Sequence, residues 1–215
     1  MNLPFQNQNT TNVPLYGLVL AGGQSRRMGI DKATLRYHGK NQGEYCFELL
    51  SAHCEKVFIS NRKEQASLKG HRKFPQIHDS FRDMGPLGGI LSAMVAYPQV
   101  AWLVLACDLP YVDKEIIETL IKKRNSLKIA TAYVNTTGRL PEPLCTIYES
   151  KSRSHLLKFL NQGCESPREI LTSCDIQLLN PMNKCSLVNV NDPEEYKRAI
   201  EFLNQERKPS YECRA

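Results

Sequence analysis

Residues 101–107, which read AWLVLAC, form the longest uncharged apolar run in the chain, and this run restricts the fold more than any other feature. It falls far short of the ~20 residues that cross a bilayer. Its lack of polar alternation marks a strand covered on both faces, which places it near the middle of a sheet packed between helices. The rest of the chain agrees. Leu15-Tyr16-Gly17-Leu18-Val19-Leu20 is too short for a helix, is closed by Ala21-Gly22-Gly23, and reads as the first strand. Val57-Phe58-Ile59 and residues 74–77 suggest two more strands. Between them, Leu87, Ile90, Leu91 and Met94 recur at the spacing of one helix face behind Pro86. Asp113 is an N-cap for a helix with Ile117, Leu120 and Ile121 on its buried side. Asp192-Pro193-Glu194-Glu195 opens a third, whose stripe is Tyr196, Ala199, Ile200 and Leu203; its acid three residues after the cap suggests a capping box. Strands alternating with helices predict a mostly parallel sheet between helical layers, with ligands bound beyond the carboxyl ends of the strands.

No internal repeat or linker interrupts this pattern, so residues 14–206 read as one domain, with tails at 1–13 and 207–215. The Asn/Gln/Thr-rich start lacks the basic and apolar blocks of a secretory signal. Eight cysteines are scattered without a CxxC pair or a clustered Cys/His spacing, which argues for buried thiols in a reducing cytoplasm and against zinc. The 28 Lys and Arg against 22 Asp and Glu give a net charge of +6 and favour an anionic partner. Nucleic-acid binding would need a basic face with stacking aromatics. Lys122-Lys123-Arg124 and His71-Arg72-Lys73 lack such aromatics and read as solvated faces, and no membrane partner is expected.

The loops after the strands carry the chemistry. Residues 20–32, LAGGQSRRMGIDK, combine glycines that let backbone approach a ligand with Arg26, Arg27 and Lys32, whose charges suit phosphate oxygens. The spacing is neither GxxxxGK[ST] nor GxGxxG, and a tight turn with solvated arginines is the alternative. Asp108 follows the 101–106 run directly, where a carboxylate could bind Mg²⁺ or simply cap a turn. Asp79 ends the third strand and is followed by Gly85-Pro86-Leu87-Gly88-Gly89 at a helix start, whose amides could receive an anion or a base edge. His78 beside it reads as structural.

These segments (LAGGQSRRMGIDK, the Asp of IHDS, GPLGG, LACDLP and the late VNVNDPEE) resemble, in order and spacing, the molybdenum cofactor guanylyltransferase family over about residues 15–203. The resemblance implies a three-layer α/β/α sandwich of the Rossmann-like nucleotide-diphospho-sugar transferase type, with a mostly parallel mixed sheet. It implies transfer of GMP from GTP to molybdopterin or Mo-molybdopterin with release of pyrophosphate. Carried across by motif, Leu20, Ala21, Gly22, Gly23 and Gly85 would bind the nucleotide, Lys32 and Arg26 its phosphates, Asp79 the guanosine part, and Asp108 the Mg²⁺. Asn61 would also contact the nucleotide, although VFISNR is one residue shorter than the family's usual spelling. Asn189 and Asn191 match a late NxN motif on the pterin side, with turn chemistry as the alternative. Asn41 stands where the family more often has Pro, which predicts an altered helix start. Transient contact with molybdopterin-handling proteins is a further implication. The competing readings are a cytidylyltransferase or other small nucleotidyltransferase of the same fold, and a non-catalytic pterin carrier.

Overall fold

The computed structural model describes residues 13–22, 31–68, 70–81 and 83–206. Seven strands form one sheet: β1 (Leu15–Leu20), β2 (Lys56–Asn61), β3 (Gln76–His78), β4 (Ala101–Ala106), β5 (Ala130–Val134), β6 (Pro141–Tyr148) and β7 (Gln177–Leu179). Their order is β3-β2-β1-β4-β6-β5-β7, which puts the AWLVLA run at the centre, as its composition demanded. β1 is parallel to β2 and β4, β2 to β3, and β5 to β7, while β6 alone runs antiparallel to its neighbours β4 and β5. A short connection cannot join parallel neighbours. β5 and β6 are joined by one, in which Asn135 Oδ1 accepts from Thr137 Oγ1 at 2.7 Å and Gly138 takes a φ of +71°.

The helices α1 (Gln42–Ser51), α2 (Gly85–Ala96), α3 (Lys114–Lys122), α4 (Ser152–Asn161), α5 (Pro167–Thr172) and α6 (Pro193–Glu206) cover the sheet. Successive side chains of a strand point to opposite faces, so β4 feeds two cores. Leu103 and Leu105 pack in one with Cys46 and Leu50 of α1 and Ile117 and Leu120 of α3. Trp102 and Val104 pack in the other with Leu87, Ile90 and Leu91 of α2, Leu156 of α4 and Ile170 of α5. A side chain at Gly17 of β1 would press on Val57 at 3.0 Å and Leu50 at 3.1 Å, so this glycine admits α1 close to the sheet.

The caps follow the sequence in outline. Asp113 accepts from the Ile116 N–H at 3.0 Å, and Asp192 from Glu194 and Glu195 at 2.9 and 2.8 Å. The capping box is displaced: Glu195 reaches past the cap to the Asn191 N–H, at 2.7 Å. The stripe of α6 packs on Leu35, Tyr37 and Val190. Asn41 occupies the cap of α1 without a side-chain bond to it.

The two runs expected to be solvated are so in two residues of three, and each turns one member inward. Arg124 is clamped on Glu149, and His71 is wholly buried. Short charge runs do not reveal which member faces inward. Among the described residues no helix is long and apolar enough to cross a membrane, no group of three or more His, Cys, Asp or Glu is placed to hold a metal, and seven cysteines carry free thiols.

Candidate functional site

Because β1 to β4 are parallel, their carboxyl ends share one edge, and β6, being antiparallel, begins there. Past β1, the Ala21 N–H donates to Ser60 O at 2.9 Å and the Cys107 N–H to Leu20 O at 3.2 Å, so the exits of β2 and β4 hold that of β1 on either side. A side chain at Gly22 would stand 3.3 Å from Asp79 Oδ2 and 3.4 Å from Asn61 Cα; one at Gly89, on α2, would collide with Ser60 Oγ and stand 3.3 Å from Asp79 Oδ1. Two glycines thus bracket the Asp79 carboxylate, which accepts from Ser60 Oγ at 2.9 Å. Burial pushes this carboxyl above the usual range, against the Ser60 bond and the charges of Arg62 and His78. α2 starts without a side-chain cap, with Asp83 at φ +61° and the exposed Gly85 at φ +52°, a backbone that suits glycine and strains the aspartate.

A second group lies where β4 ends. Asp31 Oδ1 accepts from the Ala33 N–H at 2.9 Å and caps a single 3₁₀ turn, Lys32–Thr34. The Lys32 ammonium donates to Asn191 Oδ1 at 2.8 Å and stands 3.4 Å from Asp108 Oδ2. The Val190 N–H donates to the Asp108 carbonyl at 2.8 Å, so the segment leading into α6 is tied to the end of β4. Asp108 has 19% of its side chain exposed, yet its Oδ1 is buried with no hydrogen-bond partner. Burial pushes its carboxyl up, and Lys32 pulls it back only in part. An orphaned, hard carboxylate oxygen in a crevice fits Mg²⁺, which accepts one or two protein carboxylates and completes its shell with water and substrate phosphates. An ion there would supply the missing partner.

The residues singled out in the sequence therefore fall into three sets. Leu20, Ala21, Gly22 and Asp79 line one half of the crevice, and Gly85 opens the helix beside them. Lys32, Asp108 and Asn191 form the other half. Gly23, Arg26 and Arg27 lie outside the described residues. Asn189 makes no side-chain hydrogen bond among the described residues. Asn61 is wholly buried and its amide is occupied internally: Nδ2 serves Gln76 Oε1 at 2.8 Å and His71 Nδ1 at 2.9 Å, and Oδ1 faces His78 Nδ1 at 2.8 Å. A ligand could meet its backbone; its side chain is committed to the scaffold, and so is His78.

Four further residues build the site. Asp31, His71 and Gln65 form one contact set, with Asp31 Oδ2 3.2 Å from His71 Nε2 and accepting from Gln65 Nε2 at 3.1 Å. Glu142, near the start of β6 and 2% exposed, accepts from the Leu144 N–H at 3.1 Å and from Arg168 Nη2 at 3.0 Å, and burial pushes its carboxyl up. Sequence spacing gave no signal for Gln65, His71 or Arg168.

Comparison with known proteins adds an independent line. A family described as "MobA-like NTP transferase domain" matches residues 17–180. The "Molybdenum cofactor biosynthesis bifunctional protein" of Synechocystis sp. is 40% identical over 87% of this chain, which spans 54% of that relative, about half its length. The "Probable molybdenum cofactor guanylyltransferase" of Nostoc sp. is 30% identical over 84% of this chain and 88% of its own. Among solved structures, molybdopterin-guanine dinucleotide biosynthesis protein A from Archaeoglobus fulgidus has a TM-score of 0.73 at 25% identity, covering 88% of this chain and 99% of that one. A nucleotidyl transferase from Methanothermobacter, at 16% identity and a TM-score of 0.70, shares the fold.

Proposed function

The chain belongs to the MobA-like NTP transferase family, and on that premise we propose that it is a molybdenum cofactor guanylyltransferase: it joins GMP from GTP to molybdopterin or Mo-molybdopterin and releases pyrophosphate. The observation that carries the reading is the pairing of Lys32 with Asp108 and Asn191 beside an orphaned Asp108 oxygen, next to a glycine-lined crevice holding Asp79. The continuous sheet supports residues 14–206 as a single catalytic domain. The seven free thiols among the described residues fit a reducing cytoplasm.

An oxygen of the terminal phosphate of the pterin attacks the α-phosphorus of GTP. The new P–O bond forms as the bond from the α-phosphorus to its bridging oxygen breaks, and pyrophosphate carries away the electron pair. The nucleophile is already anionic at neutral pH, so no base is required. The barrier is the approach of two polyanions, and preorganised positive charge lowers it. Lys32, held by Asn191, is aimed at the phosphates, and the charge of Arg26 would add to it. Gly22 and Gly89 let the β1 exit and α2 close on Asp79, which would accept from donor groups of guanosine, and the uncapped start of α2 at Gly85 would offer amides to it. Asp108 would hold Mg²⁺, which supplies charge neutralisation of the triphosphate when bound. Asn189 would contact the pterin acceptor. The same chemistry suits no nucleic acid and requires no membrane.

The test is pyrophosphate release with molybdopterin and each nucleoside triphosphate in magnesium buffer. Release with GTP alone is expected. Release with CTP instead would reassign the base, and nucleotide binding without any release would favour a carrier.

A further inference from the structure

We propose that His71 is a positioning residue for this reaction, which fixes Lys32 against the strand ends that carry Asp79. The inference rests on the reading of Lys32 as a phosphate contact. His71 lies in the loop between β2 and β3 and is wholly buried. Its ring joins two groups from opposite halves of the crevice. On one side, the Asn61 amide oxygen faces His78 Nδ1 at 2.8 Å, which leaves Nδ2 to donate to Gln76 Oε1 at 2.8 Å and to His71 Nδ1 at 2.9 Å. Nδ1 therefore accepts, and the ring hydrogen resides on Nε2. On the other side, Nε2 stands 3.2 Å from Asp31 Oδ2, off the line of a full hydrogen bond, so the contact is mainly electrostatic. Asp31 directly precedes Lys32, and its other oxygen caps the turn that aims Lys32.

The result is a relay, His78–Asn61–His71–Asp31–Lys32, buried at Asn61 and His71, that links the residue before Asp79 to the phosphate cation. Gln65 holds the same Asp31 oxygen at 3.1 Å and caps the Arg62 N–H at 3.1 Å, so Asp31 is tied twice to the segment after β2. A phenyl ring at position 71 would fill the volume of His71 but offer neither nitrogen. A residue that served packing alone would tolerate that exchange. A residue that sets the place of Lys32 would not, because small displacements of a catalytic charge are costly.

The experiment is a double-mutant cycle on the full chain, with kcat and KM for GTP measured in His71→Phe, Lys32→Ala and the pair. His71→Phe is expected to lower kcat/KM between about tenfold and a hundredfold, mainly through kcat. In the Lys32→Ala background the same substitution is expected to cost less than about twofold, because the group it misplaces is gone. His71→Gln, whose amide N–H can reach Asp31, should recover most of the loss. An equal loss in both backgrounds would assign His71 to packing and overturn the proposal, as would a folded His71→Phe with wild-type kinetics. If His71→Phe does not fold, Asp31→Asn takes its place in the cycle under the same criterion. Lys32→Ala within threefold of wild type would sink the reading of Lys32 itself, and the route built on it. Calorimetric GTP binding runs the same cycle without turnover.

Discussion

The two ends of the sheet each hold a cation against a carboxylate, and they are built differently. At the amino end of β1 and β4, Arg124 grips both oxygens of Glu149, at 2.7 and 2.8 Å, and gives a third bond to Val13 O at 3.2 Å. Glu149 is 3% exposed and fully partnered, so a planar fork has met a planar acceptor and nothing is left over. At the carboxyl end, Lys32 stands 3.4 Å from one oxygen of Asp108, and the other oxygen has no partner. A complete pair stabilises the fold. An incomplete pair, kept in place by Asn191 and the cap at Asp31, is stable only at a cost and is finished by what binds there.

Breaking the incomplete pair should produce the largest functional effect. Asp108→Asn is expected to lower pyrophosphate release by about 10³-fold or more, and yet leave the protein at least as stable as wild type at neutral pH. The sign follows from linkage. A carboxyl pushed up in the folded state binds its proton more tightly there than in the unfolded chain. Wild type therefore loses stability as pH rises from the ordinary carboxylate value to the raised one, and Asp108→Asn lacks that loss. Denaturant unfolding across pH checks it: the advantage of the variant should shrink toward acid pH, and a variant less stable than wild type at neutral pH would show the orphaned oxygen to be no burden.

The complete pair predicts the reverse. Arg124→Ala should cost about 3–5 kcal/mol of stability by stranding a buried carboxylate, with kcat/KM per folded molecule unchanged. Next in size, Lys32→Ala should remove ~2.7–4 kcal/mol of transition-state stabilisation and lower the unfolding midpoint at neutral pH, because Asp108 loses the cation beside it; a rate change under threefold would reduce Lys32 to a surface charge. The smallest effect is expected on the nucleoside side, where Asp79→Asn should weaken GTP binding roughly tenfold and leave the KM for the pterin acceptor alone. Calorimetry with GTP and with other nucleotides measures it, and equal weakening for all nucleotides would detach Asp79 from the base.

The central strand, the parallel core, three helices and the caps of two of them were legible in the sequence, because each rests on short-range periodicity or on one capping residue. The phosphate-loop, Asp79 and Asp108 segments stood out as candidates for chemistry, although a tight turn or a turn cap could account equally for the first and the last of them. Less was visible where partners are distant in the chain. Arg124 and Glu149 are 25 positions apart, and Lys32 and Asn191 are 159. Their neighbours in sequence say nothing of these meetings. The charge run 71–73 concealed one inward residue for the same reason, since Arg72 and Lys73 are exposed as read while His71 turns inward.

By itself the sequence determined which residues could carry charge, metal and nucleotide, and that strand exits would present them, because strand length, apolar continuity and turn glycines are local properties. Only the tertiary structure decided which carboxylate would be left incomplete. That depends on the order β3-β2-β1-β4-β6-β5-β7, which sets the end of β4 beside the 3₁₀ turn of Lys32 and under the segment before α6. Desolvation and pairing are sums over neighbours from the whole chain. Asp108 and Glu149 are both buried acids facing a cation, and only their surroundings separate a site from a staple.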